Sequence, residues 1–499
     1  MARYKPYDYR QRVFLPVSLE DQLMPGTLEF AIHTLVENRL DMSVFASKYR
    51  NDETGRAAYD PKVLLIVVLL GYSRGLISSR KIEQACRENV VFIALACGQQ
   101  PDHSTIAAFV SSMKDEILPL FRDVLLVCEE LNLLGGTMFA LDGCKLPSNA
   151  SKEWSGTFSE LHKKKQKIEA KVAQLLAEQI QADQDAENPS EPKISGKNRQ
   201  HQVEKLQRKA ALIEQWLAEN QPKIGAVGRE KQSNITDNDS ATMMTSHGAV
   251  QGYNSQALID AKHQVIVHGE AFGNGQDHGH VPPMLSGALE NLQSLGHESD
   301  YFEGKIFTAD SNYHTLVNLQ KCQELGLDAY IPDRKFRNRD PRFASQKRRQ
   351  VRRFTLQDFR HDEALDQYIC PNGKIIKLAV KRVLNRGHLY RKYYAAATDC
   401  QKCPLRPRCI YGAGAKRKQL FVPINSLSHQ MVEKIATEQG RRIYPQRLAI
   451  AEPVFANIRI NKRLDRFTLR GKIKVNIQWL MYCLVHNIEK ILNYGMAYA

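Results

Sequence analysis

The chain has 499 residues, with 70 Lys plus Arg against 54 Asp plus Glu and a net charge of +16. Apolar residues make up 43% and charged residues 25%, which excludes a disordered tail protein, a collagen and a membrane-spanning bundle. The length suggests about three domains and a core that needs no disulfide staples. The longest apolar run, Val63 to Leu70, is far shorter than the ~20 residues of a spanning helix. The first residues lack the apolar region of a secretory signal. The expectation is a cytoplasmic, nucleoid-associated protein with no membrane contact and a polyanion partner.

Residues 1–58 hold a short basic arm and mixed helical signals. From Tyr59 to Leu134 the pattern is helical. Asp60 is placed as an N-cap with Pro61 at the first helical position. Ser78 caps a second helix, Pro101 and Asp102 open a third, and Met113 to Leu133 continues helically. Short helices with tight turns fit either a helix-turn-helix DNA-binding module or a plain helical scaffold. This N-terminal helical domain is drawn at 1–134.

Thr137 to Asp142 is a short apolar run ending in an acid and followed by Gly143, the pattern of a buried strand ending in a turn. Two charged helical stretches follow, Phe158 to Gln181 and Gln200 to Glu219, around a polar break from Ala182 to Arg199. They read as a solvated helical hairpin with a flexible tip. Asp237 and Asp239 read as a polar turn. Strand patterns return at Ser255 to Ala261 and Gln264 to Ala271. The segment Asp277, His278, His280 reads as the cap of a helix from Val281 to Leu295, ahead of a metal or base role. Lys305 to Asp310 is a second short strand ending in an acid. A helix from Tyr313 to Leu325 and a strand from Asp328 to Ile331 complete an alternation that implies an α/β fold with a mixed sheet. The tail from Glu433 to Tyr494 is helical.

The charge is concentrated. Residues 331–475 hold 35 basic and 11 acidic residues, against 35 and 43 in the remainder. The densest parts include Arg334 and Lys335, then Arg348, Arg349 and Arg352, then Arg459 to Lys474. Arginine forks suit phosphate oxygens. Phe336, Phe343, Phe354 and Tyr444 are interleaved and are placed to stack on bases. This asymmetry points to nucleic acid as the polyanion.

Asp142 and Asp310 end separate apolar runs, and Glu452 lies on a helix in the basic region. Three carboxylates around divalent cations are a phosphoryl-transfer arrangement, because oxygen ligands hold Mg²⁺ (or Mn²⁺) and two ions stabilise attacking and leaving oxygens together. Turn and capping acids are the plainer reading of the same residues. Of the ten cysteines, six are scattered as small core residues. Cys370, Cys400, Cys403 and Cys409 are grouped near turn residues in the basic region. They fit a structural Zn²⁺ site, an iron–sulfur cluster, or reduced thiols.

The motifs Tyr59 to Leu65, Gly71 to Gly75, Ser78 to Glu83 and Pro101 to Ile106 come first in the chain. Leu141-Asp142-Gly143, Val250 to Ala257, Thr308 to Tyr313, and Tyr444, Arg447, Glu452 and Arg459 follow in order. Together they resemble the DDE transposases of bacterial insertion sequences, specifically the insertion sequence eleven-eighty-two family. The resemblance implies an RNase H-like mixed-sheet catalytic core at 135–332 and 426–499, interrupted by the helical hairpin as an insertion at 152–222, with a basic Cys-cluster insertion at 333–425. It implies Asp142, Asp310 and Glu452 as the catalytic, Mg²⁺-binding acids. Double-stranded DNA is the implied partner, both element terminal repeats and target, bound by a homodimer or higher synaptic oligomer. Tyr444, Arg447, Arg459, Arg334, Lys335, Arg348, Arg349 and Arg352 are the DNA-contact candidates. Two readings stand beside it, a metal-dependent nuclease or resolvase of the same fold and a catalytically inactive DNA-binding derivative. Arg459 stands where related groups often carry Lys, and Arg447 precedes Glu452 by one residue more than the commonest spacing. Seven residues make about two helical turns, so Arg459 is expected on the face of Glu452 and Arg447 off it.

Overall fold

The computed structural model describes residues 18–49, 57–185, 194–225, 228–245, 248–346, 353–385, 388–410, 414–424 and 426–495. Arg348, Arg349 and Arg352 lie outside these residues. The chain divides into two compact units. The first is Met1–Gln276 with Met284–Tyr301 and Ile450–Ala499; the second is Asp277–Pro283 with Phe302–Ala449.

In the first unit the N-terminal helices start where their caps place them. Asp60 accepts from the Lys62 N–H ahead of helix Pro61–Ser73, Ser78 from Lys81 ahead of Ser79–Glu88, and Asp102 from Ser104 and Thr105 ahead of His103–Ser112. Each side chain satisfies an otherwise orphaned donor of the first turn. The last helix of this set runs over Ile117–Glu130.

Four strands follow: β1 (Met138–Pro147), β2 (Ala241–Thr245), β3 (Gly248–Asp260) and β4 (Ile266–Phe272). β3 is the centre. It pairs antiparallel with β1, and successive stretches of it pair antiparallel with β2 and β4. β1 is longer than expected. It does not stop at Asp142 but continues to Pro147, because β3 supplies partners along its whole length. Gly143 is therefore not a turn residue. It faces Gln256, whose Nε2 would lie 2.0 Å from a Cβ placed there. The glycine serves a close cross-strand approach.

Between β1 and β2 the helices Phe158–Asp185 and Ile194–Glu219 form the expected hairpin, joined through Val172, Leu175, Val203 and Leu206. The apolar seam is thin, and polar and charged residues make up much of both helices, as a solvated arm requires.

The C-terminal helix, Lys472–Tyr494, is the core of the first unit. Fourteen of its side chains are buried, including Trp479, Tyr482, His486 and Asn487. The Tyr482 ring stacks on Tyr72 of the N-terminal helices at 4.7 Å. Its start is held by Asp237 and Asp239. Asp237 accepts from the Tyr253 hydroxyl at 2.8 Å and the Gly471 N–H at 3.2 Å, and Asp239 accepts from the Lys472 N–H at 2.8 Å. These acids stand in the expected polar turn, closed by the Ser240 N–H on the Asp237 carbonyl at 3.2 Å, and they also cap a helix far away in sequence.

The same helix covers the edge of β4. The Asn487 amide accepts from the Ile266 N–H and donates to the Ile266 carbonyl, both at 2.9 Å. The Asn476 amide does the same at Ala271, at 2.7 and 3.1 Å. Eleven helical residues and five strand residues both span about 16–17 Å, so the two amides meet the strand in step. Trp479 Nε1 donates to the Gln256 carbonyl at 3.0 Å.

The expected continuous helical tail is interrupted. Helices Leu427–Ala436, Glu438–Ile443 and Gln446–Ala456 are followed by a π turn, Asn457–Asn461, and a non-helical stretch to Gly471. Lys462 in that stretch is fully buried and paired with Glu489. The ion pair offsets the cost of burying the cation.

In the second unit β5 (Ile306–Ala309) pairs parallel with β6 (Asp328–Tyr330), joined through helix Leu316–Glu324. Next come β7 (Arg360–Asp362), β8 (Gln367–Ile369), β9 (Ile375–Asn385), β10 (His388–Ala395) and β11 (Gln419–Pro423). They form an antiparallel sheet in the order β11-β10-β9-β8-β7. Its inner face packs Tyr368, Ile376, Tyr393 and Leu420 with Phe359. The fold is thus mixed α/β, with antiparallel pairing in the first unit and both kinds in the second. Among the described residues no helix is long and apolar enough to cross a membrane.

Substituting Asn487→Leu removes both partners of Ile266 from a fully buried edge. Unfolding stability should fall by about 2 kcal/mol or more, read as a lower urea midpoint with an unchanged slope.

Candidate active site

In the first unit β1 presents Asp142 opposite Ala257 and Cys144 opposite Ser255, on one face of the strand. Asp142 Oδ1 accepts from the Gly143 N–H at 2.9 Å. Cys144 is buried, and burial pushes its thiol up to about 12; the Arg459 guanidinium works against that shift and the Asp142 carboxylate adds to it. Asp142 and Arg459 therefore converge on Cys144. Arg459 sits in the π turn. A π turn takes more residues than an α turn, so the seven residues from Glu452 to Arg459 do not make two regular α turns. Both Glu452 and Arg459 are exposed.

In the second unit Asp310 directly follows β5 and caps the short turn Ser311–Tyr313, accepting from the Asn312 N–H at 2.6 Å. Burial pushes its carboxyl above the usual carboxylate range. The Asn312 N–H and the Arg447 guanidinium oppose that shift, and the Asp277 carboxylate adds to it. Arg447 is buried, at 9% exposure, in the first turn of helix Gln446–Ala456. Burial also raises the Tyr444 phenol, while Arg447 opposes the rise by its charge and by a hydrogen bond. Arg447 thus stands with Asp310 and Tyr444, and not on the exposed surface where a DNA-contact residue was expected.

The interleaved aromatics are also differently employed. The Phe336 ring meets Tyr444 edge-on at 5.3 Å and Phe343 at 5.7 Å. Phe354 meets Phe359 at 6.5 Å, with Arg408 over its ring at 4.6 Å. These rings pack on protein, because a large ring gains more from burial beside other rings than from exposure. Arg334 and Lys335 are exposed. Arg334 reaches His278 Nε2 at 2.9 Å, and the Thr315 hydroxyl donates to the His278 carbonyl at 2.9 Å. The segment around Asp277 therefore packs on the loop of Asp310, beyond the capping expected of it. Its acid, amide and histidines were visible in the sequence; their proximity to Asp310 was not.

The four grouped cysteines are neighbours. The Cys370 sulfur accepts from the Lys374 N–H at 3.3 Å and the Cys400 sulfur from the Lys418 N–H at 3.4 Å. Burial raises the Cys409 thiol, Lys418 opposes that, and Cys400, Cys370 and Cys403 add to it. Cys370, Cys400 and Cys409 also pack against the aromatic cluster of the sheet. Yet among the described residues no three His, Cys, Asp or Glu side chains form a group that could hold a metal ion. The tetrahedral zinc cage expected of these cysteines is not assembled. Asp142 and Glu452 belong to the first unit and Asp310 to the second.

Two stretches of the chain match known families. Residues 369–492 match the model described as a transposase DDE domain, and residues 17–112 match that described as a transposase domain (DUF772). None of the curated proteins matches the chain. The DDE match takes in Tyr444, Arg447, Glu452 and Arg459, together with the four grouped cysteines. Two separate stretches of the chain are thus similar to transposase domains, the second of them to one of the DDE type.

Proposed function

We propose that the chain is the transposase of a bacterial insertion sequence, in the insertion sequence eleven-eighty-two family. Its substrate is double-stranded DNA, at the terminal repeats of its own element and at the target. The observation that carries this reading is Arg447 and Tyr444 beside Asp310. Two residues of the stretch matching a DDE domain act on an acid far outside it, which links the second and third blocks of the expected catalytic signature. The antiparallel set β4, β3, β1 and the parallel pair β5, β6 support an RNase H-like core.

In this reading water attacks the phosphorus at the element end, the bond to the 3′ oxygen breaks, and a 3′-hydroxyl is released. That hydroxyl then attacks a target phosphorus and displaces the target 3′ oxygen, so each phosphodiester broken in the target is replaced by one joining the element. Asp142, Asp310 and Glu452 are the proposed catalytic acids. Their all-oxygen donor chemistry suits Mg²⁺ or Mn²⁺, which when bound would stabilise charge on attacking and leaving oxygens. Arg447 holds Asp310 toward its ionised form, and Tyr444 backs Arg447. Exposed Arg459, Arg334 and Lys335 are proposed phosphate contacts. Two element ends must be held together for paired joining, which calls for a homodimer or larger assembly.

Asp310→Asn should abolish cleavage and joining on paired end DNA with Mg²⁺ and leave end binding within about twofold. Asp142→Ala should do the same. Full cleavage by either variant sinks the assignment. Cleavage by the parent chain with no joined product would instead favour a nuclease.

A further inference from the structure

The outer face of the β9-β10-β11 sheet has no part in the proposed active site. Its composition is unusual. The strands Ile375–Asn385, His388–Ala395 and Gln419–Pro423 contain no Asp or Glu, but include Lys377, Lys381, Arg382, Arg391 and Lys392. Tyr393, Leu420 and Ile376 point to the inner cluster. By the two-residue period of a strand, Lys392 and Tyr394 then point outward, with Tyr390 beyond them. Register places Lys377 opposite Tyr394, Val380 opposite Lys392, and Phe421 opposite Lys392 on the other side.

Rings and cations are interleaved on this face. Lys392 Nζ lies 4.9 Å from the centres of both the Tyr394 and Phe421 rings, and the Arg417 guanidinium lies 4.1 Å from Tyr394. Tyr390 meets Phe421 edge-on at 5.9 Å. Phe421 is 36% exposed, and Lys377 and Arg417 are exposed. A core ring on the opposite face, Tyr393, is 1% exposed, so the outer rings are not simply the rim of the core.

We propose that this face binds an unpaired stretch of DNA, stacking bases on Tyr394, Phe421 and Tyr390 and pairing phosphates with Lys377, Lys392 and Arg417. The proposal rests on the reading that the chain acts on DNA. Duplex bases are already stacked and offer no ring face, whereas unpaired bases do, and every base has one. The absence of acids on the three strands fits a polyanion and no cationic partner. Lys and Arg stems are flexible, so a base arriving on a ring displaces the cation, and the freed charge meets the adjacent phosphate. The two shifts of register in β9, around Val380, bend this strand and bring its cations beside the rings of β10.

The test uses the full chain and two probes, a fluorescent mixed-sequence single-stranded oligonucleotide and the same sequence as a duplex. Tyr394→Ala and Phe421→Ala should each weaken single-strand binding at least about fivefold, leaving duplex binding unchanged. Tyr394→Phe should retain single-strand affinity, because the ring does the stacking. Lys392→Gln should lower the salt slope by about one. Heparin, a polyanion without bases, should compete poorly. Equal single-strand affinity for parent, Tyr394→Ala and Phe421→Ala overturns the proposal, as does equal competition by heparin. If those results come with intact duplex binding, this proposal alone falls. If the parent binds neither probe, the transposase reading falls with it.

Discussion

The edge of β4 is the constraint on which the first unit depends. A strand at the end of a sheet leaves unpaired N–H and C=O groups, and burying them without partners costs more than most single contacts return. Here Asn476 and Asn487 of the C-terminal helix answer the backbone at Ala271 and Ile266. The match in rise between three helical turns and five strand residues sets where the helix lies. With the helix in place, Trp479 reaches the Gln256 carbonyl and Tyr482 reaches Tyr72. Gln256 is in turn the residue that demands a glycine beside Asp142. The position of the first candidate acid is thus tied to the last helix of the chain.

In the second unit the comparable constraint is electrostatic. Asp310 is a mostly enclosed carboxylate with another acid, Asp277, acting on it. Such a group stays ionised only if something offsets burial and like charge. A backbone N–H and the buried Arg447 oppose both, while the carboxyl still lies above the usual carboxylate range. Arg447 is itself kept by Tyr444, which packs on Phe336. A chain of contacts from an aromatic cluster to a carboxylate explains why these rings are inside the protein and unavailable to bases. Of the rings on the antiparallel sheet, Phe421 of β11 is left 36% exposed.

Much of the local structure was legible in sequence. Asp60, Ser78 and Asp102 cap the helices they precede, since capping is a short-range interaction between a side chain and the next turn. The hairpin followed from helical periodicity, and the strand before Asp310 from a short apolar run with a flanking acid. The errors share a cause. β1 was ended at Asp142 because glycine after an acid resembles a turn, while the strand continues because β3 is there to pair with it. Asp237 and Asp239 do stand in a polar turn, but their further role as caps stays hidden because Gly471 and Lys472 lie more than two hundred residues away. Helical spacing favours Arg459 over Arg447, but it does not register that the first turn of the Arg447 helix meets Asp310 or that Arg459 sits within a π turn.

By itself the sequence determined the elements, the basic character of residues 331–475, and the acids and cysteines available for chemistry. Those are properties of residue type and of neighbours within a few positions, where propensity, capping and periodicity operate. Only the tertiary structure decided which of these residues face one another. It set Arg447 beside Asp310, gathered four cysteines without making an ion cage of them, and turned one aromatic set inward and another outward. The reason is that burial and pairing across long sequence separations depend on how elements pack, and packing is a property of the whole fold, not of any one segment.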